Sequence, residues 1–267
     1  ANLNLWKLNY EYGELNANGT VDSAKNTGNL AKQTISFGGA AQDFVQTYKY
    51  DALYRLTEAK EESGSSQNWK QTFGYDKYGN RTAFSQVIGS TNLPINSETL
   101  PTVDVNTNRY SPSQGYSYDK AGNVVADAEN RTFVFNGDNK QVEVKDASNN
   151  VIGTYLYDGD GKRIKKVTAN EETVFVYSGG KLAAEYSTDI APTASTKYVA
   201  TDTLGSIRAM SDQNGDVVSR RDFMPFGEEM YAGTPNRDAS QKYSTDGDNV
   251  RQKFTGYERD KETGLDF

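Results

Sequence analysis

Cysteine and histidine are both missing from the 267 residues. Without cysteine there is no disulfide and no thiolate nucleophile or ligand. Without histidine, the commonest general base and the commonest metal ligand are gone as well. A basic surface is lacking too: the net charge is −7 and the pI about 4.9, which argues against a DNA- or RNA-binding face. No apolar run approaches the roughly 20 residues that a membrane-spanning helix needs. No basic-then-apolar leader follows Ala1, and the chain stops at Phe267 directly after Gly264-Leu265-Asp266, so it reads as a fragment or a processed product. Absent cysteine is a weak clue to compartment, because many bacterial surface proteins manage without disulfides.

What is plentiful points to strands and turns. Tyrosine numbers 18, phenylalanine 11 and glycine 24, against 3 methionines, a composition of aromatic strands joined by turns and not of helices. One pattern recurs: aromatic, any residue, aromatic, Asp, a short Gly/Asn turn, then a basic or apolar strand. It is plain in Tyr48-Lys49-Tyr50-Asp51, Phe73-Gly74-Tyr75-Asp76 (turning at Gly79), Tyr116-Ser117-Tyr118-Asp119 (Gly122) and Tyr155-Leu156-Tyr157-Asp158 (Gly161). Degenerate copies start at Phe133 and Phe175, and Tyr10-Glu11-Tyr12-Gly13 reads as an eroded first copy. Two aromatics at i and i+2 share one strand face. Asp starts a turn by bonding its own backbone, and Gly or Asn supplies the positive φ of a tight hairpin. Each unit is therefore a β-hairpin with an aromatic face, too small to stand alone and stacked on its neighbours with a period of about 20 residues.

The anchor aromatics at 50, 75, 118, 135, 157 and 177 leave one long gap of 43 residues, filled by a Pro-rich insertion at about 85–114 with Pro94, Pro101 and Pro112. Proline is excluded from central strands, so this segment leaves the sheet. Polar stretches at Thr188–Lys197 and Ala232–Asn249 read as a separator and a loop.

These aromatic-x-aromatic-Asp hairpins resemble the YD repeats of the bacterial RHS family. Three later motifs strengthen the likeness. Asp202-Thr203-Leu204-Gly205-Ser206-Ile207-Arg208 resembles the opening of the RHS repeat-associated core domain, Phe223-Met224-Pro225-Phe226-Gly227 resembles its Pro-Phe-Gly motif, and Phe254-Thr255-Gly256-Tyr257-Glu258 through Glu262-Thr263-Gly264-Leu265 resembles its Gly-Leu motif. The division implied is a YD-repeat hairpin array over 1–187 and a core domain over 188–267. The implied fold is all-β, stacked hairpins in a curved or spiralling sheet that forms part of a shell, with few or no helices. In toxin-bearing family members the shell holds a C-terminal toxin, released by autoproteolysis at an Asp-Pro-x-Gly-type motif that lies beyond Phe267. Arg259, Asp260 and Asp266 sit next to where the family cleaves itself, so support of autoproteolysis is weighed against ion pairing in the end plug.

Elsewhere the bland account is the better one. The tyrosines read as a packed row stabilising neighbouring hairpins rather than a carbohydrate- or partner-binding surface. The Asp-Gly-Asp-Gly run at 158–161 and the alternating Asp212, Asn214 and Asp216 read as turns, because neither has the terminal acidic ligand of a calcium loop. Glu228–Glu229 and Asp246/Asp248 read as solvated charge, and Pro225-Phe226-Gly227 as a turn with a buried aromatic. The expectation is a non-enzymatic, exported or surface-displayed shell segment of a bacterial RHS protein, with no cofactor, metal or nucleic acid and no membrane span. Its partner would be a C-terminal cargo polypeptide, and its sheet edges offer edge-to-edge assembly. The alternative is an extracellular adhesion module that binds a cell-surface glycan or protein.

Overall fold

A computed structural model describes residues 6–38, 42–89, 101–188, 196–245 and 250–266. The fold is all-β and antiparallel, as expected. There is no α-helix among the described residues, only single 3-10 turns such as Ser23–Lys25 and Ala239–Gln241. No helix there is long and apolar enough to cross a membrane.

The chain forms two compact units. The first comprises residues 1–100, 195–259 and 266–267, the second residues 101–194 and 260–265. These units follow contacts, whereas the division at 187/188 follows motifs. The first unit carries a six-stranded meander of Trp6–Tyr12, Leu30–Phe37, Phe44–Tyr50, Leu56–Ser63, Ser66–Tyr75 and Arg81–Ile88. It also holds a three-stranded sheet of Tyr198–Thr201, Ile207–Ser211 and Val217–Arg220, and the small ribbon Asp222–Phe223/Glu229–Met230. The second unit is an eight-stranded meander running from Ser117–Tyr118 to Lys181–Ser187.

Period-two burial sets one face of each sheet to the core. Strand Leu30–Phe37 buries Ala31, Gln33, Ile35 and Phe37 and leaves the residues between them half-exposed. The first unit packs Ile35, Phe37, Phe44 and Tyr243 in one cluster and Ala59, Trp69, Met224 and Met230 in another. The second unit packs Phe133, Val144 and Tyr155.

Most of the hairpins share one turn. At Asp51, Asp76, Asp127, Asp146, Asp158, Asp202 and Asp212, carboxylate Oδ1 accepts from the backbone N–H two and four residues on. Asn136 does the same with its amide oxygen. The residue three on has positive φ and is Gly or Asn at nearly every copy, such as Gly79, Gly122, Asn130 and Gly161. The register slips by one at the aromatic before the turn, between Lys49 and Tyr50, Gly74 and Tyr75, and Leu156 and Tyr157. The loop has three residues and is closed by a G1-type bulge at the positive-φ residue, and the register slip marks a second bulge just beyond it on the return strand. The copies at Asp127 and Asp146 have no aromatic-x-aromatic lead and close the opposite end of the sheet. The period of about 20 residues is therefore two strands and two turns.

The second aromatic joins one unit to the unit before. Tyr75 Oη donates to the Leu56 carbonyl at 2.7 Å, Tyr157 to Gln141 at 2.7 Å and Tyr177 to Arg163 at 3.1 Å. Each acceptor is the first residue after the previous turn at the same end of the sheet. Arg55 lies 4.9 Å over the Tyr75 ring and donates to the Asp76 carbonyl at 2.8 Å. The rows thus run from turn to turn through rings, cations and freed carbonyls.

The Pro-rich insertion lies partly outside the described residues, Pro94 included. Strand Arg81–Ile88 runs into its first positions, a short ribbon pairs Val103–Asp104 with Arg109–Tyr110, and Pro112 opens a 3-10 turn where its missing N–H costs nothing. Of the separator, residues 189–195 lie outside the described residues.

Replacing Tyr75 by Phe removes one hydroxyl donor and should destabilise the chain by about 1 kcal/mol in urea titration. The turn carboxyls carry a pH signature. The Arg55 backbone N–H and guanidinium hold Asp51 below its ordinary value, and the Asn80, Asn123 and Asn150 amides do the same for Asp76, Asp119 and Asp146. A depressed carboxyl contributes stability that is complete above its unfolded value, near pH 4, and is lost as pH falls through the folded value. The melting temperature should therefore hold from neutrality to about pH 5 and fall below about pH 4; equal values at about pH 3 and pH 6 would count against the turns as the cause.

Candidate functional site

The core-motif residues lead to a buried ionic chain in the first unit. The turn at Asp202 aims its second carboxylate oxygen at Arg208, 3.4 Å away. Arg208, on strand Ile207–Ser211, donates to the Arg221 carbonyl at 3.0 Å and to Asp222 Oδ1. Asp222 Oδ2 accepts from Tyr243 Oη at 2.7 Å and from Arg237 Nε at 2.9 Å. The other two Arg237 nitrogens, Nη1 and Nη2, grip Glu61 end-on at 2.8 and 2.7 Å. Asn68 and Gln46 complete the Glu61 carboxylate, each at 2.8 Å. The Arg237 guanidinium lies 4.4 Å over the Phe44 ring. A branch pairs Glu229 with Arg221 at 3.2 Å and with Lys253 and Ser244, both at 2.8 Å.

Arg237, Glu61, Asp222 and Arg221 are at most 2% exposed. Four carboxylates (Glu61, Asp202, Asp222, Glu229) meet four cations (Arg208, Arg221, Arg237, Lys253), so the assembly is neutral. Burial alone would raise the Asp222 carboxyl, but Arg237 and Arg208 hold it at about 2. Burial and the Asp222 charge push the Tyr243 phenol up. Each of these charges is engaged by a partner of opposite sign. The arrangement is chemically a clasp: it ties the strand carrying Glu61 to the segment carrying Asp222 and Arg237.

Glycines hold the motifs together. Gly205 and Gly256, both at positive φ, face each other: a Cβ on Gly205 would lie 3.5 Å from the Thr255 carbonyl oxygen and one on Gly256 3.4 Å from the Gly205 carbonyl oxygen. Ser206 Oγ accepts from the Thr255 N–H at 3.0 Å. Gly227 sits where a Cβ would come within 2.8 Å of the Phe254 ring. Leu204 is exposed, Glu258 is buried, and Gly264 caps the final turn by donating to the Asp260 carbonyl at 2.7 Å.

Arg259, Asp260 and Asp266 are not brought to one point. Arg259 and Asp266 form a two-pronged pair at 2.7 Å, about a third exposed. In the second unit Asp260, 3% exposed, accepts from Arg163 at 2.7 and 3.0 Å and from Lys166 at 3.1 Å. Beside it Glu262 accepts from Tyr155 at 2.7 Å, and burial with this bond raises the Tyr155 phenol.

Three expectations are corrected. Glu229 is buried and ion-paired rather than solvated; Asp246 and Asp248 lie outside the described residues. The stretch from Ala232 reads as a polar loop, yet supplies Arg237, Tyr243 and Ser244 to the interior. The aromatic of Pro225-Phe226-Gly227 is 46% exposed, edge-on to Phe73 and under Arg81, and the residue driven fully inside is Met224. Sequence reading also missed Glu61, whose one available signal was its place on the same strand face as Ala59.

Replacing Arg237 by Met leaves Glu61 and Asp222 buried without their cation and should cost about 3–5 kcal/mol in chemical denaturation. The Glu61→Leu/Arg237→Met double variant should lose less than the sum of the singles; full additivity would mean the pair is not coupled.

No family model matches the chain. By sequence it is similar to a tRNA nuclease WapA of Bacillus subtilis strain 168 and a tRNA3(Ser)-specific nuclease WapA of Bacillus spizizenii, each 25% identical over 81% of this chain. A tRNA(Glu)-specific nuclease WapA of Bacillus subtilis subsp. natto is 27% identical over 57% of it. The chain spans only 9%, 9% and 7% of those proteins. In fold it resembles a chain of the Photorhabdus luminescens Tc holotoxin pore, with TM-score 0.62 at 16% identity, and one of the TcdB2-TccC3 complex, with TM-score 0.58 at 17% identity. Each match covers 99% of this chain, and 16% and 17% of the respective neighbour. These relatives overturn the expectation of no enzyme: proteins named as tRNA nucleases are enzymes. Absent histidine and cysteine in 267 residues carry no information about catalytic groups elsewhere in chains of which this segment spans less than a tenth.

Proposed function

We propose that this chain is a wall segment of a bacterial toxin of the RHS type, exported or displayed at the cell surface, and that the wall encloses and delivers an effector carried in the same polypeptide. One observation carries this reading. The segment is shared, at 25–27% identity, by relatives of which one is named for tRNA3(Ser) and another for tRNA(Glu). A part common to effectors of different specificity is suited to carriage, which is the same task whatever the target. The fold likeness to toxin assemblies over 99% of the chain supports it. So does the physics of the wall. Meandering hairpins pair each strand with the next, and the repeated Asp turns give short, polar ends with few free edges. The buried clasp makes separation of its strands costly.

The test uses the natural full-length protein and limited proteolysis. The chain outside this segment should resist a protease that digests the same region expressed alone, and should lose that resistance in the Arg237→Met variant. Equal digestion rates inside and outside the parent protein would overturn the proposal.

A further inference from the structure

Asn136 leads its turn with an amide oxygen where Asp51, Asp76, Asp127, Asp146, Asp158, Asp202 and Asp212 lead theirs with a carboxylate. Glycine follows it, as glycine follows Asn18 and Asn214. An asparagine before glycine can close on itself: the glycine nitrogen attacks the side-chain Cγ, and the amide nitrogen leaves as ammonia. Glycine permits this because it brings no Cβ into the closing ring. The fold treats the three Asn-Gly pairs differently.

The attacking nitrogen must give up its proton, so a hydrogen bond from that N–H holds it back. Gly19 N–H donates to the Asn16 carbonyl at 3.0 Å and Gly215 N–H to the Asp212 carbonyl at 3.1 Å. Gly137 N–H has no acceptor among the described residues, and both Asn136 and Gly137 are exposed to water. The reaction also needs a place for the negative charge that develops on Oδ1 during attack. Asn136 Oδ1 accepts from the Asp138 N–H at 3.0 Å and the Lys140 N–H at 2.9 Å. Two fixed backbone donors at that distance are the arrangement that stabilises an oxyanion. Asn18 has comparable donors, in the Thr20 N–H and hydroxyl, but its attacking N–H is engaged. We propose that Asn136-Gly137 is a self-modification site, at which water converts the asparagine to aspartate.

The atoms balance with water as the one co-reactant. A solvent base takes the Gly137 amide proton as the bond from its nitrogen to Cγ forms. The tetrahedral centre then expels Nδ2, which leaves as ammonia with a proton from water, and a five-membered imide remains. Water opens the imide. Breaking the bond from nitrogen to Cγ restores the main chain and leaves a carboxylate; breaking the bond to the backbone carbonyl carbon leaves isoaspartate. The donors on Oδ1 polarise Cγ a second time, so they direct water there and favour ordinary aspartate.

The product suits the turn. A carboxylate keeps both Oδ1 bonds and places a charge four residues before Lys140. At Asp51 and Asp127 the same spacing holds an ion pair, with Arg55 and Arg131, each at 2.7 Å. Arg55 also reaches the next turn at that end of its sheet, through the Asp76 carbonyl. Lys140 reaches its next turn as well: a Cβ on Gly161 would meet its Nζ at 2.9 Å. Conversion supplies the carboxylate that its own turn does not carry. This inference stands apart from the wall proposal and survives or fails without it.

The experiment incubates the 267-residue chain in mildly alkaline buffer, folded and in urea, and follows its tryptic peptides by mass spectrometry. Asn136 falls in the peptide Thr132–Lys140, apart from Asn18 and Asn214. In the folded chain, conversion at position 136 should outrun the other two. It should slow about tenfold in Gly137→Ala, whose added Cβ meets open space in the fold and obstructs only the ring closure. In urea the three sites should react at similar rates, and the product at 136 should contain more isoaspartate. The Asn136→Asp variant should melt at the same temperature as the parent chain or higher. Faster reaction at Asn18 or Asn214 in the folded chain, an unchanged rate in Gly137→Ala, as much isoaspartate folded as in urea, or a lower melting temperature in Asn136→Asp would each overturn the inference.

Discussion

Arg237 is the residue on which the first unit turns. One planar cation satisfies two buried carboxylates, Glu61 end-on through its two Nη atoms and Asp222 through Nε, and lies over the Phe44 ring. Its partners come from sequence positions 176 and 15 residues away, so the pairing exists only when strand Leu56–Ser63 and the segment after Gly233 are in place. A lone buried charge is strongly unfavourable, whereas a fully paired and hydrogen-bonded set is tolerated. The clasp therefore rewards one arrangement of strands and penalises partial ones. Asp202, Arg208, Arg221, Glu229 and Lys253 extend the same rule until the charge sums to zero.

The sheets themselves rest on smaller, repeated terms. A carboxylate or amide oxygen folds each turn locally, a positive-φ residue closes it, and the bulge frees a carbonyl that the next tyrosine hydroxyl takes up. Each bond is worth about 1 kcal/mol, and together they make the stack of hairpins stable where a single one is not. Asp260 repeats the clasp on a smaller scale in the second unit, where Arg163 and Lys166 hold the last turn. A sheet made this way combines local turn chemistry, which repeats, with a few long-range ionic ties, which do not.

The hairpin fold was legible in the sequence because its determinants are local. Tyr75-Asp76 and Gly79, or Tyr157-Asp158 and Gly161, contain within a handful of residues the strand face, the turn starter and the positive-φ residue. The period of about 20 residues followed directly. The turns at Asp127 and Asp146 were harder to see, since the opposite end of the sheet needs the turn without the aromatic pair. The clasp was mostly illegible. Asp202 and Arg208 stood out by their motif, but Glu61 sits in a run of alternating charges, and Arg237 in a stretch whose Asp, Ser and Gly content resembles any polar loop.

Sequence alone thus determined what is decided within one hairpin: antiparallel strands, Asp-led turns, the aromatic face and the repeat. Tertiary structure decided which charges are buried. Glu228 and Glu229 are chemically identical neighbours, and only the approach of Arg221, Ser244 and Lys253 selects the second as an interior ion. Tyr54 shows the same limit from the other side. The sequence places a tyrosine where the other turns carry Gly or Asn, and only the folded backbone shows that it keeps the positive φ of 61° all the same. Local rules act on residues a few positions apart, whereas burial, ion pairing and cavities depend on partners that the chain brings together only by folding.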